Sequence, residues 1–440
     1  MSIRQKQWGK LILFGAGLVI AWGFAGIGGW AYDPGWHVHN GLWMLRHHAI
    51  LHRDGFTWKA PDTPWANAEW GFDLLAGWIY SLFGWAGDRW LVVVVYGCLF
   101  GLILWHSRLK IPEFGWLWLC FFFAAGSAAV VRPQIFSYLF FAIALVGILR
   151  GRNLSLLSLL VIPWNNTHAS AILWLGLLGI ETLIQRDWRT LWKPWFISLG
   201  GFFVSPTSLG SLVAFTKMQG NRLSLLIPEY RSPNFHGALP WIVIGFALIA
   251  GYQVIKRGDL RSKLWVFFGT AAFLFSRRLG IYSAIIDMLV IECPPLTPAL
   301  KKVMALVTVG VFSVFLMTTP IWITQPFARP VEYQAVQYLK SVHAVRVLNQ
   351  YEYGSTMEMA GLKPICDGRD IWLGQSWYDH YFETLVGQYP LRRLLRVDIP
   401  NAKYMVFPNH SIVADQIWLL PGWHQVYDDG KVSCWTKTTN

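Results

Sequence analysis

The chemistry-bearing residues of this chain form two sets of opposite charge. The acidic set begins in "WAYDPGWHVHNGLW" (30–43), where Asp33, Trp36 and His37 follow directly on a long apolar run. A carboxylate among aromatic rings at such a boundary is partly stripped of water, which makes it a better proton acceptor. Asp33 is therefore the first candidate for a general base, with His37 as its neighbour. The same polar region, residues 32–88, adds Asp54 in "HRDGFTW" and Glu69 in "PWANAEW", together with Asp62, Asp73, His39, His47, His48 and His52. Asp54 and Glu69 are flanked by Trp and Pro, as loop residues folded back onto a surface would be. His37 and His39 are two residues apart, which on a helix sends them to different faces. No metal site is expected, with a divalent ion held by the loop's His and carboxylate groups as the alternative.

The basic set is defined by its location. Arg132 stands in "AVVRPQIFSY" between two apolar runs, Arg277 and Arg278 stand together in "FLFSRRLGIYSA", and Arg231 lies in "IPEYRSP". Arginine at a membrane boundary is costly and tends to face a cavity or a partner. Its planar fork grips phosphate through paired hydrogen bonds, so these arginines mark a candidate anion site. Interfacial snorkelling is the competing role for each one singly, and the adjacent pair argues against it.

Membrane helices must position both sets. Of 440 residues 54% are hydrophobic and 14% charged, and 27 are Trp. A soluble chain of this length carries far more charge, and Trp collects where chains cross membrane–water boundaries. The net charge of +13 is thus assigned to loops and lipid contacts, not to nucleic acid. Apolar stretches at 11–31, 89–107, 114–131, 134–149, 154–166, 169–185, 195–206, 239–256, 264–277, 279–299 and 302–324 predict a polytopic α-helical membrane protein with about eleven spans. The first stretch is too long for a signal peptide and reads as an uncleaved anchor.

With Arg4, Lys6 and Lys10 in the cytoplasm, the basic loops at 108–110, 150–152, 186–193, 256–263 and 301–302 fall on the same side. The segment 67–86 is then an amphipathic helix on the outer surface. Beyond residue 325 the composition turns polar. A helical pattern at 331–342 and short apolar runs at 402–407 and 432–437 predict a small extracytoplasmic α/β domain. The expected division is a membrane domain, 1–324, with its outer loop at 32–88, and a tail domain, 325–440. Cys98, Cys120 and Cys293 lie in apolar runs, while Cys366 and Cys434 fall in the tail and could pair there.

This layout resembles the GT-C superfamily of membrane glycosyltransferases, in which the first span leads into a large outer loop with surface helices and an acid. It more closely resembles a group of bacterial membrane proteins related to those transferases, over nearly the whole chain. The matching stretches are "DPGWHVHNGLWMLRH" (33–47), "RDGFTW" (53–58), "PWANAEW" (64–70), "RPQIFSY" (132–138), "PWNNTHAS" (163–170), "SPTSLGSL" (205–212), "EYRSP" (229–233) and "SRRLGIY" (276–282). In the tail they are "LNQYEYGSTM" (348–357), "CDGRDIWLG" (366–374) and "GWHQVYDDGKV" (422–432). The resemblance implies a GT-C-like bundle in a bacterial plasma membrane, a sugar donor on a polyprenyl phosphate, and a loop acid as base. Relatives often carry two acids spaced like DxD at the first motif. The earlier position here is Ala31, which leaves Asp33 alone and favours metal-free chemistry with arginines stabilising the leaving phosphate.

The expected reaction is therefore inverting sugar transfer from a polyprenyl-phosphate donor to a glycan, lipid or protein acceptor. Arg277, Arg278, Arg132 and Arg231 would hold the phosphate, and Asp33 would deprotonate the acceptor. His37, Asp54, Glu69, Asn166 and His168 would shape the sugar pocket, with Trp36, Trp65 and Trp70 offering faces for ring stacking. The "DGR" at 367–369 reads as a turn with a structural ion pair. Two other functions compete: a non-catalytic subunit that holds a glycan-lipid, and a transporter of lipid-linked sugar. Against a transporter, the sequence shows no repeat, and the spans hold few acids, with Asp287 and Glu181 as the candidates.

Overall fold

The computed structural model describes residues 3–28, 33–59, 61–207, 209–210, 213, 216, 229–257, 259–294, 296–369 and 375–438. Ala31 lies outside them. The chain begins with helices α1 (Ile3–Gly28), α2 (Pro34–His47), α3 (Trp70–His106), α4 (Ile111–Gly126) and α5 (Gln134–Leu149). Short α6 (Leu154–Ser158) and α7 (Val161–Thr167) lead to α8 (Ile172–Gln185) and α9 (Trp188–Phe203). Then come α10 (Ala238–Arg257), α11 (Leu260–Phe275), α12 (Gly280–Val290) and α13 (Pro298–Ile323). The tail holds α14 (Tyr333–Ser341), β1 (Val347–Asn349), α15 (Gly354–Met359), α16 (Gln375–Leu385), β2 (Tyr404–Pro408), α17 (Ile412–Ile417), β3 (Trp423–Asp428) and β4 (Val432–Lys437).

Two compact units result. One comprises Met1–Gly28, Trp85–Leu212 and Ile227–Phe327, the other Gly29–Gly84, Val213–Leu226 and Ala328–Asn440. The chain changes unit within α3 at Gly84, whose φ of 59° and ψ of −158° interrupt the helix. Only glycine adopts that conformation without strain.

The first unit carries the hydrocarbon-like surface. Among the described residues, four helices are long and apolar enough to cross a membrane: Gln7–Gly28, Trp70–His106, Ala238–Arg257 and Pro298–Ile323. Helix α13 turns Leu306, Val309, Val314 and Met317 outward, as lipid demands and water does not. Other stretches read as spans are shorter here. The run 154–166 divides into α6 and α7, and the run 279–299 breaks after Val290, shortly before Pro294, with helix resuming at Pro298. The segment 67–86 is continuous with the following span except at the Gly84 break. Residues 85–106 alone are about 33 Å long at 1.5 Å per residue, enough to cross hydrocarbon. Basic ends are neutralised by acids: Glu181 takes Arg261 at two distances, 2.7 and 2.9 Å, and Glu292 pairs with both Arg108 and Arg257.

The second unit combines the tail with α2, the loop 48–69 and the first turns of α3. Its sheet has the order β1-β2-β4-β3, with β1 parallel to β2 and the other pairs antiparallel. Val406 faces Cys434 across β2 and β4. Below them α14 buries Ala335, Val336 and Leu339 with Val347, Tyr353 and Met357, so the helix and strand patterns of the tail become one apolar core. Cys366 and Cys434 are both buried free thiols; Cys434 is spent on this core and the pairing allowed by the sequence does not form. The loop 48–69 is pinned to the tail by Trp58, whose Nε1 donates to the Val347 carbonyl at 2.9 Å and whose N–H donates to the Pro364 carbonyl at 3.1 Å.

Candidate functional site

Each unit holds one concentration of polar chemistry. In the second unit it is built on the N-terminal turns of α2. Pro34 opens the helix, where its missing N–H costs nothing, and Trp36 N–H donates to Ser355 Oγ of α15 at 2.9 Å. Asp33, Trp36 and His37 therefore stand on one face, at i, i+3 and i+4. Trp36 Nε1 donates to Asp33 Oδ1 at 3.3 Å, and the Trp36 ring lies 3.5 Å from the His37 ring. Asp33 is half-buried, and a Cβ placed on Gly368 would collide with its Oδ1. The tail's "DGR" turn thus sits directly against the candidate base.

Behind His37 lies Asp73, which the sequence offered only as one loop acid among several. Helices α2 and α3 cross at Gly41 and Gly77, where a side chain on either would enter the other's backbone. That close approach places Asp73 Oδ1 2.6 Å from His37 Nδ1, while Asn40 and Asn67 each donate to Asp73 Oδ2 at 3.0 Å. The amides fix the carboxylate, and the carboxylate fixes the ring. On the other side, His37 Nε2 faces Glu69 Oε2 at 4.0 Å. The His37 ring is thus held between two carboxylates, with Asp73 in hydrogen-bond contact at Nδ1 and Glu69 farther off at Nε2.

Asp73 is fully buried, and burial pushes its carboxyl up to about 8 against the downward pull of Asn40, Asn67 and Arg369. The native carboxyl keeps its proton to higher pH than the unfolded one. Its contribution to stability is full below about pH 4 and is lost as pH rises through about 8. Asp73→Asn, nearly isosteric, removes this titration. Its Tm should decline less than that of wild type between about pH 6 and pH 9, measured by thermal unfolding in detergent. Parallel slopes for the two proteins would assign the titration elsewhere.

Arg369 lies in the same unit, buried with Asp54, Glu358 and Asp367. It donates to Glu358 and Asp367 and stands 3.3 Å from Asp54 Oδ1. Phe56 and Trp65 flank the guanidinium at 5.0 and 5.5 Å. Asp54 also accepts from the backbone N–H groups of Phe56 and Thr57 and from the Thr57 hydroxyl, so it braces the loop. Burial raises the Glu358 carboxyl, while Arg369 overcomes burial at Asp367 and lowers it. His39 packs on Phe56 on a different face from His37, and burial followed by Arg369 and Arg46 lowers it to about 4. Among the described residues no three His, Cys, Asp or Glu side chains converge as metal ligands.

The first unit gathers the arginines. Arg277 and Arg278 form a short turn between α11 and α12, and residues 229–231 run along it. Arg278 N–H donates to the Glu229 carbonyl at 3.0 Å, and Arg277 N–H donates to the Arg231 carbonyl at 2.8 Å. Arg132 Nη1 meets Glu229 Oε1 at 3.0 Å. Arg278 donates to the Tyr230 hydroxyl and reaches His168 Nε2 at 3.3 Å. His168 Nδ1 accepts from the Ser170 backbone N–H at 3.3 Å and lies 2.7 Å from Ser170 Oγ and 3.0 Å from Ser137 Oγ. Arg132, Arg231, Arg277, Arg278 and His168 thus come together in this unit. Asn166 instead donates to the carbonyls of Ile162 and Val204, both at 2.8 Å, and serves the α7–α9 packing. Glu229 and Tyr230 were not singled out from the sequence, although both sit beside Arg231 in "EYR".

No protein-family model matches the chain, and no curated protein matches it. Solved structures do. The archaeal oligosaccharyltransferase AglB from Archaeoglobus fulgidus, in complex with an inhibitory peptide and a dolichol-phosphate, superposes with a TM-score of 0.57 at 11% identity, over 92% of this chain and 70% of AglB. The crystal structure of the apo oligosaccharyltransferase from the same organism gives a TM-score of 0.60 at 11% identity, over 93% and 70%. AglB is a GT-C superfamily glycosyltransferase, and at this identity the likeness is one of architecture. The chain shares the fold of these two oligosaccharyltransferase structures over most of its length.

Proposed function

We propose that this protein is an integral-membrane glycosyltransferase of GT-C type that moves a sugar from a polyprenyl-phosphate donor to an extracytoplasmic acceptor. The observation that carries the reading is Asp33: a half-buried carboxylate at the N-cap of α2, braced by Trp36 and by the "DGR" turn, in a chain that shares the oligosaccharyltransferase fold. In the proposed step Asp33 takes the proton of the acceptor nucleophile as that atom bonds to the sugar carbon. The bond from that carbon to the phosphate oxygen breaks, and its electron pair leaves with the lipid phosphate. Arg132, Arg277 and Arg278, with Arg231, offset the developing charge. His37 Nε2 and the Glu69 carboxylate present two polar groups 4.0 Å apart, suited to sugar hydroxyls. The dolichol-phosphate and inhibitory peptide bound to AglB support a lipid-phosphate donor and a peptide or glycan acceptor. About eleven spans, a cytoplasmic N-terminus and a bacterial plasma-membrane setting complete the reading.

A glycan-lipid-binding subunit without catalysis is the second reading, favoured by Ala31 in place of a second acid. A transporter has less support, because Glu181 is spent on Arg261. The deciding experiment incubates the full chain in nanodiscs with polyprenyl-phosphate-linked hexoses and follows label transfer to glycan, lipid and peptide acceptors, and to water. Turnover of at least one donor is expected. Binding of the lipid phosphate without turnover of any donor would establish the subunit reading instead.

A further inference from the structure

The arginine cluster already contains an anion of its own. Glu229 is fixed through its backbone: its carbonyl accepts from Arg278 N–H at 3.0 Å and from Ser276 Oγ at 3.3 Å, and two residues on, Arg231 is tied to Arg277. Its side chain is held differently. The carboxylate contacts Arg132 at 3.0 Å with 47% of the side chain exposed, against 18% for Arg132. Rotation about the glutamate side-chain bonds can therefore release Arg132 while the backbone strap stays in place. Burial alone would raise this carboxyl, but Arg132, Arg278 and Arg277 bring it below the usual range, so it is an anion wherever the cluster is intact.

A carboxylate and a phosphate oxygen pair present the same acceptor geometry to a guanidinium fork. Because the Glu229 carboxylate is about half exposed, solvent screens the pair on that side, and a more highly charged group can compete for Arg132. We propose that Glu229 is an exchangeable internal counter-ion: it occupies Arg132 when the cluster is empty, and a phosphate or diphosphate group takes its place. This rests on the phosphate role given to the arginines under the glycosyltransferase reading. It adds that donor binding is a competition against a side chain of the protein itself.

The test uses full-length protein in nanodiscs with two probes, inorganic phosphate and undecaprenyl phosphate, titrated against wild type, Glu229→Gln, Glu229→Ala and Arg132→Gln. Both Glu229 variants should bind more tightly than wild type, by roughly three- to tenfold, and Arg132→Gln more weakly. Tightening for both probes would show that the phosphate group itself is the ligand; tightening for the lipid probe alone would identify a lipid headgroup. Unchanged or weaker binding in both Glu229 variants, with Arg132→Gln still impaired, overturns the exchange and leaves the phosphate site standing. No binding of either probe to wild type or to the Glu229 variants removes the phosphate site and the exchange together.

Discussion

Asp33→Asn should reduce sugar transfer by roughly 10²- to 10⁴-fold, the span covered by a positioned general base. The loss should fall on kcat, because asparagine keeps the size of the side chain and an oxygen to accept from Trp36 Nε1, now at 3.3 Å. Folding should be unaffected. Asp33 precedes α2, where asparagine serves as well as aspartate, and its carboxylate makes no cap hydrogen bond that the exchange would remove. His37→Gln provides the contrast. It breaks the bond to Asp73 and frees the ring position that Asp73, Asn40 and Asn67 jointly define, so both KM and stability should worsen. Transfer rates for the two variants, measured with matched thermal unfolding, separate the roles. An Asp33→Asn protein that transfers sugar at the wild-type rate removes Asp33 as the base.

The line between what was legible in the sequence and what was not follows contact range. Asp33, Trp36 and His37 could be grouped from spacing because one helical turn brings i, i+3 and i+4 together. The different faces of His37 and His39 follow from the same geometry, and the rings do have different neighbours, Phe72 for one and Phe56 for the other. The tail strands at 402–407 and 432–437 were legible from apolar runs bounded by polar turns, and β2 and β4 fall within about two residues of them. Asp73 was not legible as the partner of His37, because that pairing depends on the Gly41–Gly77 crossing of two helices. Arg369 could be read as a turn ion pair with Asp367, two residues away, but not as the partner of Asp54, which is 315 positions earlier. Glu229 and Arg132 are 97 positions apart. Periodicity carries no information about such pairs. The long apolar helices were found by composition, whereas the splitting of 154–166 into α6 and α7 depends on local packing that hydropathy averages away.

Arg369→Met should be the most destabilising single change in the second unit, by about 3–5 kcal/mol, the cost of removing one partner from a buried ion cluster. The guanidinium is the one cation that touches Asp54, Glu358 and Asp367 among the described residues, and all four side chains are buried. Without it, Asp367 must either remain buried as an anion or take up a proton. In the variant burial acts on the Asp367 carboxyl without the opposing pull of Arg369 and raises it above the unfolded value, so the native state binds more protons and stability falls as pH rises. The deficit relative to wild type should therefore widen between about pH 5 and pH 8, because in wild type Arg369 holds Asp367 low. Arg369→Lys keeps the charge but loses the fork that reaches Glu358 and Asp367 together, and should fall between the two. The effect should also reach the candidate site. Gly368 packs against Asp33 Oδ1 and Trp36 Nε1, so a shift of the turn on losing its arginine displaces the base. Transfer by Arg369→Met should then be impaired even well below its Tm, which thermal unfolding and rate measurements at one low temperature can distinguish from simple unfolding. A variant that is destabilised yet transfers sugar normally when folded would show that the cluster secures the unit without setting the position of Asp33.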